Sequence, residues 1–376
     1  MGEATPSSSG EIDLQAIRAG IDALDEQLID LLNQRAALVL QVAEVKKRAD
    51  LDIYVPCREE SLLKRLAQYN QRCGGLLSER GIRAIFREIM SAALALEDNL
   101  RIAYLGPAGS WTHQVAISKF GQSVEYLAQP SVESCFDRVL ARDASYAVLP
   151  LEHSHEGVVE HTLDHLCDSA LRIYAQIPWS LEMVVMAQSA QVAPKIIFGS
   201  AQSLETCRPW LMQRFPAALL QPCESSNLAV EAATRQADCA AVGTPLAAEL
   251  AGLRVLAGSP PERNSQARFI ILGPRCGPPS AQDHSMLMIE ACDRVGSLAN
   301  LLLQFARHDI QVRHLETRQP RSSNGPATFF VELSGHADVD PLRGCLEDLS
   351  RQGISHRVLG SYPAMNDGLS RQNVAT

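Results

Sequence analysis

The chain has 376 residues, of which 46% are hydrophobic and 20% charged, and a formal net charge of −9. That length allows two to four domains with cores of their own, and the composition is that of an ordinary globular protein. The acidic balance excludes a general nucleic-acid or acidic-membrane binder, no apolar run is long enough to span a bilayer, and ten scattered cysteines without a C-x-x-C pair argue for free thiols in a reducing cytoplasm.

Residues 1–10, MGEATPSSSG, lack the basic and apolar parts of a signal peptide and read as a disordered lead-in. Residues 11–100 read as all helix. Taking 12–48 as one helix and stepping it at about 100° per residue puts Ile17, Ile21, Leu24, Leu28, Leu31, Leu32, Leu38, Val39 and Val42 on one face. Arg35 and Lys46 lie on the same meridian. Two cations in an apolar seam are costly unless something anionic meets them. Few carboxylates share the face, so a bound anion is expected. Asp50-Leu51-Asp52 ends this helix, Pro56 opens a second, Cys73-Gly74-Gly75 ends it, and Ser78-Glu79 starts a third. A first helix roughly 55 Å long is too long for three helices to bury alone, so an intertwined dimer is expected.

Residues 101–275 change to α/β alternation, with RIAYLG, YAVLPL and RFIILG as buried strands. Neither a Walker motif nor G-x-G-x-x-G follows a strand, so nucleotide binding has no support. A Gly/Pro/Ser-rich linker from Gly273 to Ser280 leads into 283–363. There the order is strand, helix, strand, strand, helix, strand, the ferredoxin-like α+β plan. Residues 364–376 form a polar, loose tail.

The first segment carries Ile17-Arg18-x-x-Ile21-Asp22-x-Leu24-Asp25, Leu31-Leu32-x-x-Arg35, Val45-Lys46, Pro56-x-Arg58-Glu59, Ile85-Phe86-Arg87-Glu88-Ile89 and Glu97. This run resembles the all-helical chorismate mutase family. The resemblance implies a pericyclic rearrangement of chorismate to prephenate, which needs no nucleophile, only a folded substrate and a stabilised ether oxygen. It also implies the roles. Arg35, Arg58 and a partner-borne Arg18 grip carboxylates, Lys46 and Glu97 address the ether oxygen, and Glu59 holds the substrate hydroxyl. Glu97 must carry a proton to donate, so mutase activity should fall as pH rises. Two positions depart from the family: Val55 stands for Asp and Ala93 for Ser.

The second segment carries Gly106-Pro107-x-Gly109-Ser110-Trp111-Thr112-His113, Leu149-Pro150-Leu151-Glu152-His153-Ser154-x-x-Gly157 and Asn264-Ser265-Gln266-Ala267-Arg268-Phe269. It resembles prephenate dehydratase, a two-lobed α/β domain with a cleft, and the third segment resembles its ACT regulatory domain. All three together resemble the bifunctional chorismate mutase–prephenate dehydratase architecture. The implied substrate contacts are Ser110, Thr112, His113, His153, Ser154, Ser225, Ser226, Arg268 and Phe269. The dehydratase step expels carbon dioxide and a hydroxyl, which needs a donor. The family threonine held to supply it is replaced by Ala267, and its asparagine by His153. Three readings stay open: a rebuilt site using His153 or Ser265, a poor scaffold serving the mutase, or a different prephenate reaction such as decarboxylation alone. A dimer that senses an amino acid without catalysis is the rival outside enzymology. The ACT resemblance places phenylalanine, as feedback ligand, at Gly296, Ser297 and Leu298 and at Glu316, Thr317 and Arg318. His153, His155, His161 and His165 lack a carboxylate or cysteine to complete a tetrahedron, so neither metal nor cofactor is expected.

Overall fold

The computed structural model describes residues 14–49, 51–52, 54–97, 100–153, 157–191, 193–259, 265–291, 295–318 and 327–364. The helical segment folds as α1 (Leu14–Arg48), α2 (Pro56–Arg72) and α3 (Glu79–Glu97). Pro56 occupies the first turn of α2, where its missing N–H costs nothing. The Ser78 hydroxyl accepts from the Gly81 N–H at 3.1 Å and fixes the start of α3. The 35 residues of α1 span about 52 Å, against about 26 and 28 Å for the 17 and 19 residues of its neighbours. Among the described residues, its upstream apolar stripe therefore has nothing to pack on. Ile17, Ile21, Leu24, Leu28 and Leu31 are each about half exposed, and Ala43 is the one buried residue of α1.

The α/β segment forms two lobes. The first contains β1 (Arg101–Leu105), α4 (Trp111–Phe120), β2 (Glu125–Gln129), α5 (Val132–Leu140), β3 (Tyr146–His153), β4 (Gly157–Val158), α6 (Glu160–Asp168) and β5 (Arg172–Leu181). The second contains β6 (Val184–Ala187), β7 (Ile196–Ser200), α7 (Ala201–Arg214), β8 (Leu219–Cys223), α8 (Ser226–Arg235), β9 (Cys239–Gly243), α9 (Pro245–Leu250) and β10 (Arg254–Gly258). The chain then returns to the first lobe as β11 (Ser265–Gly273). The second lobe's sheet runs β10-β6-β9-β7-β8.

The C-terminal unit is β12 (Asp283–Ala291), α10 (Ser297–Arg307), β13 (Val312–Arg318), β14 (Ala327–Ser334), α11 (Leu342–Arg351) and β15 (Ser355–Pro363). Its βαββαβ order and strand sequence β13-β14-β12-β15 are those of the ferredoxin-like plan. Gly360 of β15 meets Ile173 of β5, so this sheet continues into the first lobe as β5-β11-β3-β1-β2. No helix among the described residues is long and apolar enough to cross a membrane. Cys57, Cys73, Cys135, Cys207, Cys223, Cys239, Cys276 and Cys345 are free thiols.

The helical and α/β segments share a core. Tyr54, from the α1–α2 connection, and Leu94 of α3 are buried with Tyr104, Phe120, Tyr146, Tyr174, Ala267 and Phe269 of the first lobe. The Glu88 carboxylate and the Ser91 hydroxyl of α3 accept from the Gln122 and Ser123 N–H groups, both at 3.0 Å, just past the end of α4.

Candidate active site

Arg35 and Lys46 are eleven residues apart on α1, three turns, so both project to the same side. Lys46 Nζ donates to Glu97 Oε2 at 3.1 Å, with side chains only 13% and 9% exposed. The first turn of α2 brings Arg58 and Glu59 to the same place. These five groups line a cavity of about 270 Å³ whose apolar walls are Val39, Val42, Met90 and Leu94. Val55 and Ala93, the two departures, also line it. Val55 precedes α2 in an extended conformation and offers no side-chain cap.

The electrostatics are lopsided. Burial pushes the Glu59 carboxyl up to about 7, although Lys119, Arg87 and Lys46 pull it back. Lys119, at the far end of α4, faces it from the α/β segment; burial and then Arg87 push its ammonium down to about 8. Neither Lys119 nor Tyr54 was singled out in the sequence. Both join the helical segment to the first lobe through tertiary packing that periodicity does not encode. Arg18 lies about 25 Å from Arg35 along α1 and is exposed outside the cavity.

The second candidate site lies where the lobes meet. Ser110 caps α4 by accepting from the His113 N–H at 3.3 Å and shares a hydrogen bond with Thr112 at 2.9 Å. The Thr112 hydroxyl also donates to the Leu105 carbonyl. His113 is buried, stacked 4.4 Å above Tyr104, and accepts the Gly109 N–H on Nδ1 at 3.1 Å. Its pKa is pushed down by burial. Gly109, at φ 81, lets the backbone reach Ala247 of α9, where a Cβ would stand 3.1 Å from that residue. The Thr244 hydroxyl closes the gap by donating to the Gly109 carbonyl at 2.6 Å. The N-termini of α4 and α9 thus come together between the lobes.

Ala267 on β11 sits directly across from His153 on β3 and from Trp179 on β5. The indole Nε1 of Trp179 is buried with no hydrogen-bond partner. Ala267 and Phe269 face the core beneath α4, Phe269 as a fully buried packing residue. Arg268 points to the other side of the strand. There it is paired with Glu152 and, at 2.8 Å, with Glu332 of β14, which also receives the Tyr362 hydroxyl at 2.8 Å. The structure therefore does not bring Arg268 together with Ala267. Ser225 caps α8 in the second lobe, accepting from the Leu228 N–H at 3.3 Å, and Ser226 begins that helix. Ser154 and His155 lie outside the described residues.

In the C-terminal unit, Gly296 takes a left-handed conformation (φ 89) and precedes α10, which begins with Ser297 and Leu298. Glu316, Thr317 and Arg318 lie on the edge strand β13. Arg318 donates to Asp164 of α6 at 2.5 Å, and Glu316 joins Arg268, His314 and Glu332 around a small cavity between the units. No group of three His, Cys, Asp or Glu side chains able to hold a metal occurs among the described residues.

Residues 17–98 match the family model for chorismate mutase type II, and residues 102–276 that for prephenate dehydratase. The chain is similar to the bifunctional chorismate mutase/prephenate dehydratase of Aquifex aeolicus, at 32% identity over 93% of this chain and 98% of that one. It is likewise similar to the same enzyme of Stutzerimonas stutzeri, at 33% identity over 93% and 97%. Among solved structures, the prephenate dehydratase of Arthrobacter aurescens in complex with L-Phe aligns with a TM-score of 0.62 at 26% identity, covering 70% of this chain and 90% of that one.

Proposed function

The chain belongs to the bifunctional chorismate mutase/prephenate dehydratase family, and on that premise we propose which residues carry each reaction. The enzyme rearranges chorismate to prephenate and converts prephenate to phenylpyruvate in phenylalanine biosynthesis. The observation that carries the assignment of the mutase site is the cavity that unites Arg35, Lys46, Arg58, Glu59 and Glu97 from three helices.

Chorismate is a dianion joined by an enol ether. Its rearrangement breaks the carbon–oxygen bond of that ether while a carbon–carbon bond forms, so negative charge gathers on the ether oxygen. The Arg35 and Arg58 guanidiniums, each able to pair two carboxylate oxygens, hold the molecule folded. Lys46 and Glu97, paired with each other at 3.1 Å, then meet the ether oxygen. The apolar walls of the cavity strengthen such contacts. Glu59 holds the ring hydroxyl. One protomer leaves the carboxylate grip short of a cation and the stripe from Ile17 to Leu31 bare. A second copy of the chain, laid along α1, covers the stripe and delivers the partner subunit's Arg18.

Prephenate binds between the lobes, where the paired N-termini of α4 and α9 favour its carboxylates. His153 and Trp179 flank the methyl of Ala267 and take over the missing threonine's task. The indole N–H hydrogen-bonds the leaving hydroxyl, and His153 supplies the proton that turns it into water as carbon dioxide departs. Phenylalanine binds the C-terminal ACT unit between the α10 start and β13. The similar prephenate dehydratase crystallised with L-Phe supports phenylalanine as the ligand.

Supplying chorismate and following prephenate and phenylpyruvate tests the division of labour. Wild type should release phenylpyruvate, His153→Ala should accumulate prephenate, and Ala267→Thr should speed the second step. A dehydratase rate unchanged in His153→Ala would remove that residue from the mechanism. A decarboxylated product that keeps its hydroxyl would replace dehydration with the other prephenate reaction.

A further inference from the structure

We propose that the mutase site is built upon the dehydratase domain, and that Tyr54 is the positioning residue that joins them. The inference rests on the reading of the α1–α3 cavity as the mutase site. Tyr54 belongs to the helical segment by sequence, one residue before Val55 and the α2 turn that carries Arg58 and Glu59. By packing it belongs to the other domain. It is 1% exposed, and its ring centroid lies 4.6 Å from Phe120, 5.7 Å from Tyr146 and 6.1 Å from Tyr174, all in the first lobe. The Tyr174 hydroxyl donates to the Tyr54 main-chain carbonyl. The connection is thus pinned through its side chain and its backbone.

The pin matters because the next hold on this end of α2 comes after the two substrate contacts, where Arg83 of α3 pairs with Glu60 at 3.2 Å. Val55 gives no side-chain cap, and an uncapped first turn frays. Arg58 and Glu59 occupy that turn. Their amides both bond to the Val55 carbonyl, at 3.1 and 3.3 Å. Fixing the residue before Val55 therefore fixes the direction in which two substrate contacts point. Lys46 and Glu97 sit on α1 and α3 and do not depend on this turn. Loss of the pin should consequently weaken the grip on chorismate more than it slows the bond-breaking step.

The test uses the full-length enzyme and compares mutase KM and kcat. Tyr174→Phe deletes the hydroxyl that holds the Tyr54 carbonyl and also bonds Tyr146, lies outside the cavity lining and keeps the ring; loss of the bond to Tyr54 should raise KM for chorismate about fivefold, with kcat within about twofold of wild type. Tyr54→Ala should raise KM further, and Tyr54→Phe, which keeps both ring and carbonyl, should restore it. A wild-type KM in Tyr174→Phe, or a fall in kcat with KM unchanged, overturns the proposal. Tyr174→Phe decides the matter if Tyr54→Ala fails to fold. Lys46→Met separates the two ideas: retained activity there would sink the assignment of the cavity itself, whereas an unmoved KM in Tyr174→Phe sinks only the coupling.

Discussion

Glu59 shows how one half-buried carboxyl ties binding to stability. Burial raises it from the ordinary 4.5 to about 7, so the folded protein holds this proton more tightly than the unfolded chain does. Its contribution to stability is complete below about pH 4.5 and is lost as pH rises through about 7. Glu59→Gln removes that loss. Urea unfolding should show the variant gaining on wild type between pH 4.5 and 8 by about 3 kcal/mol at most, and a pH-independent difference would contradict the burial argument. The residue itself was readable from its place beside Arg58, but its environment was not. Lys119 is sixty residues away in the chain and reaches Glu59 only because α4 packs on α3. Ala267 is the opposite case. Its chemical deficit was plain from the sequence, while the flanking Trp179 emerged only from strand register.

At the level of elements, periodicity located α1, α2 and α3 and all six pieces of the C-terminal unit, because each has one clear apolar face. It also placed Arg35 and Lys46 correctly on the seam of α1. Strand alternation holds a lesson for β11: Ala267 and Phe269 must share one face and Arg268 the other. Of the two substrate contacts expected beside Ala267, Phe269 shares its face, whereas Arg268 ties β11 to β14 through Glu332. The missing cap of α2 was equally readable, and it yields a prediction. Val55→Asp restores an acceptor for the first-turn amides, worth about 1 kcal/mol. Amide exchange at Arg58 should slow about fivefold, and an unchanged rate would show that the Tyr54 pin already holds the turn completely.

For the whole molecule, two features carry the account: a shared core that welds the helical segment to the first lobe, and a bare apolar stripe that asks for a second protomer. The length of α1 announced the second feature in the sequence. The first was hidden, because a lone tyrosine between two helices carries no pattern. The claim that two chains complete one cationic pocket is tested most directly by mixing two inactive variants, Arg18→Ala and Arg35→Ala, after unfolding and refolding them together. In an interlocked dimer each mixed pair contains one site with both guanidiniums intact, so mutase activity should return to about a quarter of wild type at equal mixing. If the mixture stays as inactive as either variant alone, Arg18 and Arg35 do not meet across protomers, and the two-chain pocket is wrong.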